Sequence, residues 1–411
     1  MKYCTKCGTK TPEDAVFCHV CGTKIDDLSV DLQKATKDKV SNNKYYYPPS
    51  SQQTDDKYYK GYTHKEHVFL KILAIVFIIG MITASISLFA VFSSFRMDVI
   101  GTQNYYLEEA SSNEVFLNIY NGIGDIDIVF TDDTDILIEI NVIVLSRKNV
   151  DESEFAEFII NDNEENLTIE FDSGEQIFSF FNKKILEYDI SITLNSKLVL
   201  YANVQMETGD FYMDINCQTA IINDLNVVTK TGDVSVNAYS TENVTINNVY
   251  LVSTTGQIQF SLSDQGANYI SDVFATTTTG KIYFDFGKNI TYDGNKIELT
   301  TTTGKIILYY VNMNYLENVT WLISTSTGSV YANITQDFII EKPLQISFFV
   351  TVNTGSIDIL TEFHDDIGYL FEATTDTGSI TIPGQSPNYD TALNKYYFSL
   401  RTDTGNIMAE E

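Results

Sequence analysis

Apolar and polar residues alternate along the C-terminal half of the chain, and each alternating run follows a Thr-Gly pair. Apolar side chains occupy the second, fourth and sixth positions after the glycine, as in Ile282, Phe284 and Phe286. This period of two predicts a strand with one buried face. The pair recurs nine times at intervals of 23 to 27 residues, at Gly209, Gly232, Gly256, Gly280, Gly304, Gly328, Gly355, Gly378 and Gly405.

A repeat this regular predicts one supersecondary unit that stacks on itself. Two strands and two turns account for the common spacing of 24 residues. We therefore predict an all-β fold, a parallel β-solenoid of the right-handed type, over residues 100–411. The glycine ahead of each strand is predicted to provide the positive φ of a tight corner, at Gly280 and Gly304 as at the other repeats.

Hydroxyl side chains accompany every corner. Threonine directly precedes each repeat glycine, and a second set lies three positions before it. We expect these side chains to stack in ladders in which a hydroxyl bonds the next rung. An ice-binding or sugar-binding face is the alternative use of such columns. The second set comprises Thr229, Ser253, Thr277, Thr301, Thr325, Thr375 and Thr402.

The segment from about residue 100 to 205 is a variant of the same pattern. Gly124 is followed by Ile126, Ile128 and Phe130 at the repeat positions, whereas the spacing breaks down between residues 150 and 184, where we expect irregular strands or an inserted excursion. The order NGIGDIDIVFTDDTDILIEI, then LEYDISITLNSKLVLYANVQMETGDFYMDI, then serial repeats resembles the "putative adhesin" family of prokaryotic β-helical domains, over about residues 110–411. The resemblance implies the fold and brings no catalytic residues.

Residues 72–95 form a segment without a charged side chain, and this segment is long enough to cross a bilayer. We predict a transmembrane helix within residues 68–95. Lys57, Lys60, Lys65 and Lys71 precede it, and Arg96 is the one basic residue close behind it. Positive residues favour the inner side of a membrane, so we expect a cytoplasmic N-terminus and an extracytoplasmic solenoid in a single-pass protein of the cell membrane.

Four cysteines form two Cys-x-x-Cys pairs near the N-terminus, Cys4 with Cys7 and Cys18 with Cys21, and a glycine follows each pair. Four thiolates close a tetrahedral site, which predicts a structural Zn²⁺ without an open catalytic position. Residues 1–25, with the motif CTKCG…CHVCG, resemble the short zinc ribbons at the N-termini of prokaryotic membrane proteins. Residues 26–66 lack periodicity and are predicted to be a disordered linker.

Charge is distributed unevenly. The chain has a formal net charge of −29, and residues 98–411 contain 13 Lys/Arg against 46 Asp/Glu. Such a surface argues against a nucleic-acid partner and attracts divalent cations. Asp210 and Asp233 follow consecutive corner glycines, so a weak Ca²⁺ site between them is an alternative to screening by solvent. His364 and Cys217 are the sole histidine and cysteine of residues 98–411, and we predict no enzyme activity.

Positions three and five after each corner glycine are predicted to point away from the core. On three consecutive rungs they place Tyr283, Ile307, Tyr309 and Tyr331 outward. We interpret this cluster as a face for sugar rings or a protein partner, unless a loop or a second copy covers it. The predicted function is non-enzymatic binding or adhesion at the cell surface. The alternative is a sensor that signals through the ribbon to a cytoplasmic protein partner.

Overall fold

The computed structural model describes residues 97–132, 137–146, 150–163, 165–174, 186–238, 243–262 and 268–411, with the backbone of residues 2–3 and 10–11. The chain divides into two compact units, Met1–Ala84 and Ser85–Glu411. The linker predicted at residues 26–66 and the transmembrane helix predicted at residues 68–95 lie outside the described residues. Among the residues that the structure describes, no helix has the length and apolar character needed to cross a membrane.

Strands dominate the described part of the chain, where the one helical element is a 3-10 turn at Glu152–Glu154. In chain order the strands are β1 (Lys2–Tyr3), β2 (Lys10–Thr11), β3 (Asp98–Leu107), β4 (Glu114–Ile123), β5 (Ile126–Thr131), β6 (Ile138–Ser146), β7 (Ile159–Asp162), β8 (Leu167–Asp172), β9 (Leu186–Asn195), β10 (Val199–Thr208), β11 (Phe211–Ile215), β12 (Thr219–Thr231), β13 (Val234–Ala238) and β14 (Asn243–Thr255). They continue with β15 (Ile258–Leu262), β16 (Asn268–Ile270), β17 (Val273–Thr279), β18 (Ile282–Phe286), β19 (Ile290–Tyr292), β20 (Lys296–Val311), β21 (Asn314–Tyr315), β22 (Val319–Gln336), β23 (Leu344–Thr354), β24 (Ile357–Phe363), β25 (Gly368–Thr377), β26 (Ile380–Thr381), β27 (Asn394–Thr404) and β28 (Ile407–Glu410).

The repeats stack as a parallel β-solenoid, as the sequence predicts. Strands before the corners pair in the series β4, β10, β12, β14, β17, β20, β22, β23, which we call sheet A. Strands after the corners pair in the series β5, β11, β13, β15, β18, β20, β22, β24, which we call sheet B. The register repeats every 24 residues in the centre, where Ile258 pairs with Ile282. β20 and β22 run through the corner and belong to both sheets.

The core lies between the sheets and is filled by the inward positions of each rung. Ile282, Phe284 and Phe286 are completely buried, in agreement with the alternation in the sequence. Aromatic rings continue the packing from rung to rung, with Trp321 and Phe348 stacked at 5.3 Å between ring centroids. Because each rung buries apolar area only against its neighbours, stability accumulates along the stack.

Each corner is closed by hydrogen bonds between successive rungs. The Gly256 amide donates to the Thr279 carbonyl at 3.0 Å, and the buried Thr277 hydroxyl donates to the Gly256 carbonyl at 3.0 Å. The set of hydroxyls three positions before the glycines repeats this second bond along the stack, from Thr229 to Thr402. Six of these seven side chains are buried and Thr375 is half-buried, so they hold the corners and do not form a ligand face.

The reason for glycine at the corners differs from the prediction at two positions. Gly256 has φ +154°, and most corner glycines share this conformation, but φ at Gly280 and Gly304 lies outside the left-handed region. At Gly280 an added Cβ would meet the Gly256 carbonyl oxygen at 1.8 Å, and at Gly304 it would meet the Gly280 carbonyl oxygen at 1.7 Å. Close approach of the neighbouring backbone therefore requires glycine there.

The N-terminal end of the solenoid departs from the parallel pattern. β3 pairs antiparallel with β6, β6 pairs antiparallel with β9, and β7 pairs antiparallel with β8. The parallel strands β4 and β5 then continue into β10 and β11. Antiparallel strands at this end cover the first parallel rungs, which otherwise would present unpaired backbone groups.

The last rungs stack out of chain order. β27 pairs with β23 on one side and with β25 on the other, and β28 lies between β24 and β26 in the same way. The connection after β26 pairs along the outer edge of β25, where the Phe371 amide donates to the Gly384 carbonyl at 2.8 Å. Residues 394–410 therefore form the penultimate rung, and residues 368–381 form the outermost one.

Candidate binding face and metal site

The predicted tyrosine cluster, Tyr283, Ile307, Tyr309 and Tyr331, lies on sheet B. Tyr283 of β18, Ile307 of β20 and Tyr331 of β22 occupy one register column, and Tyr309 stands in the next column. The inward neighbours of these residues are completely buried, which fixes the outward direction of the cluster. The structure thus brings the four residues together on three successive rungs.

The rings of the tyrosine cluster touch at an angle. Tyr309 lies 5.9 Å from Tyr283 and 5.7 Å from Tyr331 between ring centroids, with interplanar angles of 53° and 57°. The Tyr283 hydroxyl donates to Asp285 Oδ2 at 3.1 Å. Burial, followed by the adjacent Asp285 carboxylate, raises the pKa of Tyr283 to about 12, so its phenol is a hydrogen-bond donor at neutral pH.

Two lysines that the sequence interpretation did not connect with this face cover part of it. Lys281 Nζ lies 4.8 Å from the Tyr283 ring centroid, and Lys305 Nζ lies 5.4 Å from the Tyr331 ring centroid. Both distances fit a cation–π contact. Neither ammonium group forms an ion pair with another residue of the described ranges. The face therefore offers ring edges, phenols and two positive charges within an acidic domain.

The aspartates that follow the corner glycines accept hydrogen bonds from backbone amides of the next rung. Asp210 Oδ1 accepts from the Asp233 amide at 2.7 Å, and Asp233 Oδ1 accepts from the Gln257 amide at 2.7 Å. Asp125 Oδ1 accepts from the Asp210 amide in the same way at 2.8 Å. These carboxylates link rungs, and the described residues contain no group of three or more acidic, His or Cys side chains placed to hold a metal ion. The calcium site considered between Asp210 and Asp233 gains no support.

Cys217 and His364 lie far in sequence from the residues of the tyrosine cluster. Cys217 is buried, its Sγ donates to the Thr219 carbonyl at 3.1 Å, and burial followed by the nearby Asp132 raises the pKa of the thiol to about 12. A protonated, buried thiol is a poor nucleophile. His364 is partly exposed and its Nδ1 lies 3.7 Å from Asp366 Oδ2.

The predicted zinc ligands Cys4, Cys7, Cys18 and Cys21 lie outside the described residues. The backbone on both sides of the first pair is described: β1 and β2 are antiparallel, with Tyr3 opposite Lys10. In the chain, the Cys-x-x-Cys-Gly motif lies between these two paired strands.

Comparison with known proteins agrees with the zinc-ribbon resemblance seen in the sequence. A family model of zinc-ribbon domains matches residues 3–25, which include all four cysteines. No curated protein matches the chain.

Three solved structures are similar over about three quarters of the chain. One is a putative cell adhesion protein from Clostridium sporogenes ATCC 15579, with 11% identity, 76% of this chain and 99% of that chain covered, and a TM-score of 0.20. A putative adhesin from Bacteroides fragilis NCTC 9343 has 13% identity, coverage of 76% and 98%, and a TM-score of 0.32. A putative adhesin from Parabacteroides merdae ATCC 43184 has 13% identity, coverage of 75% and 96%, and a TM-score of 0.31.

Proposed function

We propose that this chain is a single-pass membrane protein whose acidic β-solenoid binds a glycan or protein outside the cell without catalysis. The observation that carries the proposal is the tyrosine cluster, in which three phenol rings and one isoleucine meet on successive rungs of sheet B. Tyrosine combines apolar area with a polar tip, and it loses little side-chain entropy on binding. A rigid solenoid holds these side chains in fixed register before the ligand arrives.

The proposed anchor is the uncharged segment at residues 72–95, with lysines before it and the acidic solenoid after it. We assign the N-terminal ribbon to the cytoplasm and to one structural Zn²⁺ held by Cys4, Cys7, Cys18 and Cys21. Protease added to intact cells should remove the solenoid and spare an epitope tag on the ribbon. Removal of the ribbon tag with a protected solenoid would reverse the topology.

Binding is tested on cells that display the full-length chain. The cells are applied to arrays of immobilised polysaccharides and, separately, to immobilised intact bacteria. The variant Tyr283→Ser, Tyr309→Ser, Tyr331→Ser should lose retention on the surface that holds the wild type. The same number of changes at Tyr106, Tyr212 and Tyr269, which are exposed tyrosines outside the cluster, should leave retention unchanged.

Display level and far-UV circular dichroism of both purified triple variants establish that they fold. Full retention by a folded cluster variant would exclude the tyrosine cluster as the binding face. Equal loss in the cluster and control variants would also count against it, because the effect would then follow from removing exposed tyrosines in general.

A further inference from the structure

Sheet A contains a groove on a different part of the surface from the tyrosine cluster. Its walls are Tyr250 and Phe274, and polar side chains including Asp272, Lys296 and Glu298 surround them. The cavity volume is about 340 Å³, within the range of about 300–1,000 Å³ usual for small-molecule sites. The groove combines an aromatic wall with several polar groups, which is the composition of a ligand site rather than of a core defect.

The two aromatic rings form a stack that runs along the solenoid. Tyr250 and Phe274 are register partners, their ring centroids are 4.7 Å apart, and their planes differ by 6°. Two parallel rings with centroids this close cannot lie side by side in one plane, because their edges would overlap. The two rings are therefore stacked face to face. The separation matches the strand spacing of about 4.8 Å, which means that one ring occupies each rung.

The stack has different neighbours at its two ends. On the Tyr250 side the column continues with Asn226, whose Nδ2 donates to Asn203 Oδ1 at 3.0 Å. On the Phe274 side the register partner is Glu298, whose carboxylate bonds Lys296 Nζ at 2.6 Å. An aliphatic carboxylate does not cover a ring as a third aromatic residue would. The groove therefore borders the outer face of Phe274 beside Glu298 and Lys296.

We propose that this groove binds a neutral saccharide, with one sugar ring against Phe274 beside the side chains of Glu298 and Lys296. The C–H face of a pyranose is apolar and suits the electron-rich face of an aromatic ring, while its hydroxyls project around the rim. A hydroxyl both donates and accepts, so it bonds the carboxylates of Asp272 and Glu298 and the ammonium group of Lys296 alike.

The charges around the groove select against other ligands. Two carboxylates, Asp272 and Glu298, accompany one ammonium group, and the whole solenoid is acidic, so an anionic ligand is repelled. An entirely apolar ligand would strip water from the ionised rim without replacing its hydrogen bonds, which is costly. A neutral polyol with one apolar face meets both requirements. The site is independent of the tyrosine cluster and of its ligand.

The test is a calorimetric titration of the purified full-length protein in detergent with neutral oligosaccharides of glucose, mannose and N-acetylglucosamine. Phe274→Ser should weaken binding tenfold or more, and Glu298→Gln, which keeps the shape of the side chain, should weaken it severalfold. The matched control is Phe116→Ser, because Phe116 stacks on Tyr201 at 4.4 Å and 7° in an equivalent pair of sheet A. The Phe116→Ser control should bind as the wild type does.

Three results would overturn the assignment: no oligosaccharide binds the wild type, a folded Phe274→Ser protein binds as tightly as the wild type, or Phe116→Ser weakens binding equally. A tyrosine-containing tripeptide is titrated in parallel. Binding of the peptide without any oligosaccharide, if it is lost in Phe274→Ser, would assign the groove to a protein partner and refute the saccharide. If Phe274→Ser does not fold, Glu298→Gln decides the question, since unchanged affinity in that variant also contradicts the proposal.

Discussion

Replacing Gly280 by alanine isolates the effect of crowding at a corner. An ideal Cβ at this position lies 1.8 Å from the Gly256 carbonyl oxygen, whereas φ is outside the left-handed region. Non-bonded carbon and oxygen atoms require about 3 Å, so the two rungs have to separate by roughly 1 Å at this corner. The substitution therefore reports on the distance between rungs and not on backbone strain.

The expected cost follows from the hydrogen bonds that such a separation breaks. The Gly256 amide to Thr279 carbonyl bond is 3.0 Å, the Thr277 hydroxyl to Gly256 carbonyl bond is 3.0 Å, and the Ile258 amide to Lys281 carbonyl bond is 2.8 Å. Each contributes a net ~0.5–1.5 kcal/mol. Loss of these bonds, reduced by the smaller entropy of the unfolded alanine chain, predicts about 2–4 kcal/mol of destabilisation for Gly280→Ala.

Gly384 provides the matched control. Its φ is +82°, and no atom lies within 4 Å of an added Cβ, so Gly384→Ala introduces the left-handed penalty without a clash. That penalty is about 1–2 kcal/mol, partly offset by the entropy term, which leaves about 1 kcal/mol.

The two alanine variants are compared by urea unfolding, monitored by far-UV circular dichroism, and by hydrogen exchange at the corner amides. Gly280→Ala should lower the unfolding midpoint clearly more than Gly384→Ala, with faster exchange at Gly256 and its neighbours. Equal midpoints, or unchanged exchange at the Gly280 corner, would refute the close approach of the two backbones.

Three further predictions concern the hydroxyl ladder, the acidic end and the ribbon. Thr277→Val should lower the free energy of unfolding in urea by about 1–2 kcal/mol, because the Gly256 carbonyl loses its hydroxyl partner. Thr279→Val, at an exposed position, should change the free energy of unfolding by less than about 0.5 kcal/mol. Equal effects of the two variants would contradict the hydroxyl ladder. Burial, followed by neighbouring carboxylates, raises the pKa of Asp127, so ionisation of this carboxyl lowers the stability of the fold as pH rises through its folded pKa. Asp127→Asn should therefore raise the melting temperature at pH 7, and this advantage should disappear below about pH 4. A difference in melting temperature that does not depend on pH would argue against this cause. Cys18→Ser should abolish the zinc that elemental analysis detects in the purified protein, while Cys217→Ser should retain it; zinc in both variants would argue against the ribbon site.

Local alternation was sufficient to predict which side chains form the core. Leu299 and Thr301 both point inward because a strand has only two faces, and the period of two continues to the corner. The same rule places Lys281 and Tyr283 on one outward face, since they are two residues apart. The contact of Lys281 with the Tyr283 ring could therefore have been predicted from the sequence by including the outward position two residues before the tyrosine.

The chemistry of the corners depends on contacts between rungs and was only partly predictable. A repeated glycine indicates that a side chain is not tolerated at that position. A positive φ and the close approach of a neighbouring carbonyl both require glycine, so the sequence does not distinguish them. Gly256 shows both effects, and Gly280 shows the second alone. The aromatic groove has the same origin, because Tyr250 and Phe274 are 24 residues apart and become a stack only through the register.

The order of the last rungs was not predictable, because adjacent repeats carry interchangeable patterns. Phe371 and Phe398 stack at 4.2 Å, and Phe348 and Phe398 stack at 4.9 Å, so β27 fits between β23 and β25. Each of these strands presents an inward phenylalanine at the same level, and alternation alone does not say which pair of strands is adjacent.

This exchanged order constrains how the domain is completed during synthesis. β25 leaves the ribosome before β27, but in the folded solenoid β27 separates β25 from β23. If rungs were added strictly in the order of synthesis, β25 would occupy the edge of β23 and exclude β27. The edge of β23 must therefore stay open, or be vacated, until residues 394–410 are available, so residues 368–381 take their place in the stack only after residues 394–410 have taken theirs.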